Sequence, residues 1–143
     1  MRIQTREGCT LFTTIDHIGL AVTDIAEAIA LYRTQFGVQD WEVIELPDRH
    51  MRVAVTHIGT SMVELIAPTS DEAAFAKYLR EKGPGMHHIA YQVSDIVAAL
   101  AQLQAQGMRL VDETPRPGLH NTLVAFVHPK ATMGTLIELV QHQ

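Results

Sequence analysis

Two histidines and two glutamates stand at matching places in a sequence that is written twice. The stretch 17–35 overlays 88–106 without a gap, sharing His17/His88, Ile18/Ile89, Val22/Val93, Asp24/Asp95, Ile25/Ile96, Ala28/Ala99, Ala30/Ala101 and Gln35/Gln106. Further on, Met62-Val63-Glu64-Leu65-Ile66 overlays Leu136-Ile137-Glu138-Leu139-Val140. Copies related by a rough two-fold axis bring two imidazoles and two carboxylates to one place. Such a donor set, with no thiolate, suits a divalent Co, Mn, Ni, Fe or Zn ion and is unlike a closed structural zinc site. Four protein ligands on a six-coordinate ion leave positions for water or a chelating substrate, which is an arrangement for catalysis. The candidate metal ligands are therefore His17, Glu64, His88 and Glu138.

Strand alternation sorts these side chains by face. His17 shares its face with Ile15, Gly19 and Ala21, and His88 shares its face with Met86 and Ala90. The small residue two places after each histidine leaves room for something to bind. Glu64 lies between Met62 and Ile66, and Glu138 between Leu136 and Val140. An ionised carboxylate on an apolar strand face costs several kcal/mol unless it is paired or holds a metal. An arginine partner would serve for either glutamate alone. Both glutamates recurring in register with both histidines favours the metal. His87 is expected to point away from His88 in a structural or supporting role. His50, His57, His120, His128 and His142 fall in loops, at strand ends or at the terminus, where a surface role is the default.

The elements that must carry these residues are legible in turn. A β-branched run at 14–22 gives a first strand. Asp24 with Glu27 three residues on has the form of a capping box, and Gly37 closes the helix whose apolar stripe is Ile25, Ala28, Ile29, Tyr32 and Phe36. Strands are expected over 41–46, 51–58 and 61–67, the last two joined by a turn at Gly59-Thr60. A connecting helix over 71–82 is expected after Thr69, with Glu72 as capping partner. The second copy repeats the order, with a strand at 86–93, a helix at 95–106 and strands near 109–112, 122–128 and 135–141. The fold class is thus α+β, two tandem βαβββ modules over about 14–69 and 86–141 within one domain of 143 residues. At roughly 55 residues each module is marginal alone, so the two are expected to share a core.

A net charge of −5 and the lack of a Lys/Arg-rich run argue against a nucleic-acid partner. No apolar run approaches the ~20 residues of a membrane span. The first residues carry Arg2, Arg6 and Glu7 without an apolar stretch, so no secretion signal is expected, and a single Cys9 fits a reducing cytoplasm.

Paired βαβββ modules with a histidine on the first strand and a glutamate on the last resemble the vicinal oxygen chelate (glyoxalase/bleomycin resistance/dioxygenase) superfamily. Within it the chain is most similar to the methylmalonyl-CoA epimerases. The matching stretches are Ile15-Asp16-His17-Ile18-Gly19, Val63-Glu64-Leu65, Gly85-Met86-His87-His88-Ile89-Ala90, Phe126-Val127-His128-Pro129-Lys130 and Leu136-Ile137-Glu138-Leu139. The resemblance spans about residues 15–141 and implies a cupped, curved mixed sheet around a central cleft, with family ligands falling on His17, Glu64, His88 and Glu138. At Glu64 family members carry Glu or Gln. The resemblance further implies a homodimer and an acyl-CoA substrate.

Two places depart from the pattern. Some epimerases have an acid–base glutamate on the third strand, where this chain has Val53. A glycine pair common before the HPK strand is reduced to Gly118, with Asn121 in the second place. The activity implied is metal-dependent epimerisation of a 2-substituted malonyl-CoA thioester, by α-proton transfer through a metal-stabilised enolate, with Glu138 as one acid–base group. The alternatives are a glyoxalase I-like lactoylglutathione lyase, which uses the same ligands and similar chemistry, and a non-catalytic protein of the bleomycin-resistance type that sequesters a ligand. Members of the latter type usually lack the ligand set.

Overall fold

The structure, a computed structural model, describes residues 10–143. In chain order the elements are β1 (Thr14–Ala21), α1 (Ile25–Phe36), β2 (Glu42–Leu46), β3 (Met51–Ile58), β4 (Ser61–Pro68), α2 (Ala76–Lys82), β5 (Gly85–Gln92), α3 (Ile96–Ala105), β6 (Arg116–Pro117), β7 (Thr122–Val127) and β8 (Ile137–His142). The βαβββ order occurs twice, with α2 between the copies. The described residues divide into two compact units, one of Asp16–Ala90 and one of Tyr91–Gln143 with residues 10–15. β5 opens the second repeat, yet its Gly85–Ala90 stretch, with His88, packs in the first unit.

In the first unit the strands lie in the order β2-β3-β4-β1-β5. β1 runs parallel to β4 in the register His17↔Met62, Gly19↔Glu64, Ala21↔Ile66. β3 runs antiparallel to β4, with Val53↔Ile66, Val55↔Glu64 and His57↔Met62. One face of this sheet carries Leu20, Val22, Ala54, Val63, Leu65 and Ala67, which pack with Ile25, Ile29 and Tyr32 of α1 and with Trp41. The opposite face carries His17, Gly19, Glu64 and Val53. Helix α1 starts where Asp24 accepts a hydrogen bond from the Glu27 N–H, and it stops at Gly37, whose φ of 69° lies in the left-handed region. One of the helix's free donors is thereby satisfied, and its apolar stripe is turned onto the sheet.

The second unit has the strand order β8-β7-β6. Its α3 is capped by Asp95 in the way α1 is by Asp24, the side chain accepting from the Ala98 N–H. Ile96, Ala99 and Leu100 of α3 pack on Val93, Ala125, Val127 and Leu139. Leu139 belongs to that core, so strand alternation sends Glu138 to the other sheet face, beside its register partner Phe126.

Three local expectations are corrected. The connecting helix begins at Ala76, not at residue 71. Ser70, rather than Thr69, supplies the hydroxyl that accepts from the Glu72 N–H, and short-range bonds such as Ala73 N–H to Ser70 C=O make the intervening segment a set of turns. Those turns place Ala73 and Phe75 in the interior. The segment 109–112 makes only an isolated bridge, Leu110↔Val127. Here the Asp112 carboxylate accepts from the Phe126 N–H and the Val111 and Asp112 N–H groups both meet the Phe126 carbonyl, so a side chain interrupts the backbone ladder.

Candidate metal centre

His17 comes from β1, Glu64 from β4 and His88 from β5, and the first unit brings all three together. The Nε2 atoms of His17 and His88 lie 3.1 Å apart, with their rings nearly perpendicular at 89°. The Glu64 Oε2 is 3.6 Å from the His17 Nε2. All three side chains are buried. Register explains the convergence: His17 precedes Gly19, the β1 partner of Glu64, by one alternation step, and β5 lies next to β1.

Each histidine is held from behind by the residue before it. Asp16 Oδ2 lies 2.7 Å from His17 Nδ1. His87 Nδ1 lies 2.9 Å from His88 Nδ1. With a proton on each ligand's Nδ1, both Nε2 lone pairs point at the same small region. Two lone pairs and a carboxylate directed together repel one another unless a proton or cation lies among them. Two nitrogens each about 2.1 Å from one ion, at a right angle, stand about 3.0 Å apart. The 3.1 Å separation fits that value, so the donor set fits a divalent cation. Rear support of a ligand imidazole by a carboxylate is the usual companion of such sites.

Glycine at position 19 is required by this arrangement. A β-carbon there would lie 2.0 Å from His88 Cε1 and 2.4 Å from its Nδ1. The room expected beside His17 is thus filled by the His88 ring and is not open to a ligand. Across the same face the register continues through Val55 and Val53, the latter fully buried between Ile66 and Ile44. The third strand therefore offers an apolar floor where some epimerases carry a glutamate.

Glu138 is carried by β8 of the second unit, where it is buried. Of the other histidines, His50 sits at a positive φ of 53° and pairs with Glu72 at 3.0 Å. His57, next to the end of β3, is exposed on the side of the first unit's sheet that carries His17 and Glu64. His128 closes a turn by accepting from the Lys130 N–H, and burial, then the charges of Arg109 and Lys130, push its pKa down. His120 and Asn121 both adopt positive φ, 52° and 56°, so the loop before β7 keeps its left-handed turn without the second glycine.

Sequence reasoning missed Asp16 and gave His87 its supporting role without the contact to His88, because alternation sends both to the opposite face, whereas both side chains reach the Nδ1 of the next histidine. A signal was available. Extending the repeat one residue upstream pairs Asp16 with His87, the two residues that hold the ligand histidines.

A family model described as the glyoxalase/bleomycin resistance protein/dioxygenase superfamily matches residues 16–126. The chain belongs to this superfamily. Among superfamily relatives, the human mitochondrial methylmalonyl-CoA epimerase is 34% identical over 128 residues, covering 89% of this chain and 73% of the relative. The crystal structure of methylmalonyl-CoA epimerase from Mycobacterium tuberculosis is 36% identical, with a TM-score of 0.87 over 95% of this chain and 92% of that one. A variant of the Streptomyces coelicolor methylmalonyl-CoA epimerase in complex with 2-nitronate-propionyl-CoA is 33% identical, with a TM-score of 0.85 over 92% and 95% of the two chains. The fold is the α+β glyoxalase-like fold, and this superfamily member is an isomerase of the racemase/epimerase kind. No helix among the described residues is long and apolar enough to cross a membrane.

Proposed function

We propose that this chain epimerises the α-carbon of methylmalonyl-CoA, or of a close 2-substituted malonyl-CoA thioester, with the help of a divalent metal. The observation that carries the reading is the facing pair of imidazole Nε2 atoms with the Glu64 carboxylate beside them, in a chain whose relatives include methylmalonyl-CoA epimerases. In this reading Glu138, the counterpart of Glu64 in the second repeat, joins His17, Glu64 and His88 as the fourth ligand. The ion, when bound, supplies the Lewis acidity that stabilises negative charge on the thioester oxygen as the α-proton leaves.

The residues of the chain do the rest. Asp16 and His87 orient the two imidazoles. Val53, Val55 and Ile66 line the metal-bearing sheet face with apolar surface, which limits water around a developing carbanion. Inversion requires removal of a proton on one side of the α-carbon and delivery on the other. Glu138 is the residue assigned to one of these transfers. The burial of its carboxylate suits proton transfer at a site sheltered from water. The protein acts as a homodimer in the cytoplasm in this reading.

The test is α-proton exchange of methylmalonyl-CoA in heavy water, followed by mass spectrometry with and without added divalent metal. Exchange that requires metal and is lost in Glu138→Ala is expected. Turnover of the hemithioacetal of methylglyoxal and glutathione, with no exchange into methylmalonyl-CoA, overturns the reading in favour of a lyase.

A further inference from the structure

His87 is not a metal ligand in the proposed site, yet its Nδ1 lies 2.9 Å from the Nδ1 of His88. Adjacent residues of a strand normally point to opposite faces. This pair meets edge to face, with ring centroids 5.2 Å apart and planes at 89°. A hydrogen bond between two Nδ1 atoms needs one proton, and the role of His88 decides which ring carries it. An imidazole that offers its Nε2 lone pair to a cation keeps its proton on Nδ1. His88 is then the donor and His87 the acceptor, so His87 holds its own proton on Nε2.

The His87 ring is itself fixed. Phe75 stands at 5.5 Å and 65° to it, and Tyr78 of α2 at 5.9 Å and 83°. Both are edge-type contacts of the kind that aromatic rings prefer. The chain from the connecting segment to the site is therefore continuous: Phe75 and Tyr78 set the His87 ring, and His87 sets the proton and direction of His88. The repeat gives this an independent support, since Asp16 occupies the matching position and does the same for His17.

We infer that His87 is a positioning residue, which fixes the Nδ1–H tautomer of His88 and so keeps its Nε2 available to a divalent cation. This rests on His88 being a metal ligand, as proposed above. The test uses apo protein titrated with cobalt(II) alone, read by affinity and by the visible absorption of the bound ion. His87→Phe keeps an aromatic ring between Phe75 and Tyr78 and removes the acceptor. Its cobalt affinity is expected to fall by about 10–100-fold. His87→Asn places a carbonyl oxygen near the lost Nδ1, and is expected to recover most of that loss.

Long-range nitrogen–proton NMR of the zinc-loaded native protein reads the tautomers directly, and depends on no variant folding. It should show His88 protonated at Nδ1 and His87 at Nε2. Wild-type affinity in His87→Phe, equal losses in both variants, or a proton on His87 Nδ1 overturns the inference while leaving the metal site standing. A native protein that takes up no cobalt overturns the site itself, and a His88→Ala control separates the two failures.

Discussion

Gly19→Ala adds one methyl group to a buried strand, and the direction of its effect depends on where the His88 ring lies. In a strand interior, glycine is usually worse than alanine by roughly 0.5–1 kcal/mol, so an unobstructed substitution stabilises. Here the new β-carbon would stand 2.0 Å from His88 Cε1, 2.4 Å from Nδ1 and 2.6 Å from Nε2. Carbon–carbon contacts settle near 3.5–4.0 Å, so the ring must retreat by about 1.5 Å. It has little freedom to do so, because it is buried, joined to His87 through Nδ1 and faced by the His17 ring. Overpacking of this kind costs about 1–3 kcal/mol.

The metal site suffers more than the fold, since ligand distances tolerate only about 0.2 Å. Cobalt affinity in Gly19→Ala should therefore fall by more than the roughly 100-fold upper figure for a lost supporting residue. Thermal unfolding of the apo protein gives the first quantity and cobalt titration the second. The double variant Gly19→Ala/His88→Ala removes the obstacle, so its stability should exceed the sum of the single effects. A Gly19→Ala protein that melts at or above the wild-type temperature and binds cobalt as tightly would refute the reasoning.

Two further outcomes are expected. Glu64→Leu should lose cobalt binding, because it removes the carboxylate that lies 3.6 Å from the His17 Nε2; wild-type cobalt affinity in this variant would count against Glu64 as a ligand. His128 has a folded-state pKa below the ordinary imidazole value of about 6.5, chiefly through burial and then through Arg109 and Lys130. The unfolded chain therefore binds this proton more readily, so the histidine's contribution is complete above about 6.5 and is lost as pH falls through the lowered folded value. Melting temperatures measured between about pH 8 and about pH 5 should decline less steeply in His128→Gln than in the wild type, and equal slopes would count against the assignment.

Much of the frame was legible because it rests on local chemistry repeated twice. Asp24 and Asp95 announce the two helices, and both side chains accept the expected backbone N–H. The candidate ligands came from the repeat, and the common face that alternation gives His17 and Glu64 is kept by the register His17↔Met62 and Gly19↔Glu64. The failures have one physical origin, tertiary contacts overriding a local pattern. The run Asp71 to Phe75 has helical composition, but burial of Ala73 and Phe75 is met by tight turns before α2 begins. Residues 109–112 have strand composition, but the Asp112 carboxylate takes the Phe126 N–H that a strand would have paired. No pattern of hydrophobicity encodes either choice.

The support behind the ligands shows how a duplicated frame diverges. Asp16 and His87 occupy one position of the repeat, and Gly19 and Ala90 another. At the first position both residues reach the Nδ1 atom of the following histidine, so the task is kept while the chemistry changes from an anion to a neutral ring. At the second position the requirement is kept on one side only. Gly19 has no β-carbon because the His88 ring lies over it, whereas Ala90 retains its methyl group in a fully buried place. The two histidines are therefore not equivalent: His88 leans across β1, and His17 does not lean across β5 to the same depth. An anionic support makes an imidazole a stronger donor to a cation than a neutral one does. The asymmetry predicts unequal losses, with Asp16→Asn weakening cobalt binding more than His87→Asn. Equal losses would mean that the charge of Asp16 contributes nothing beyond holding the ring.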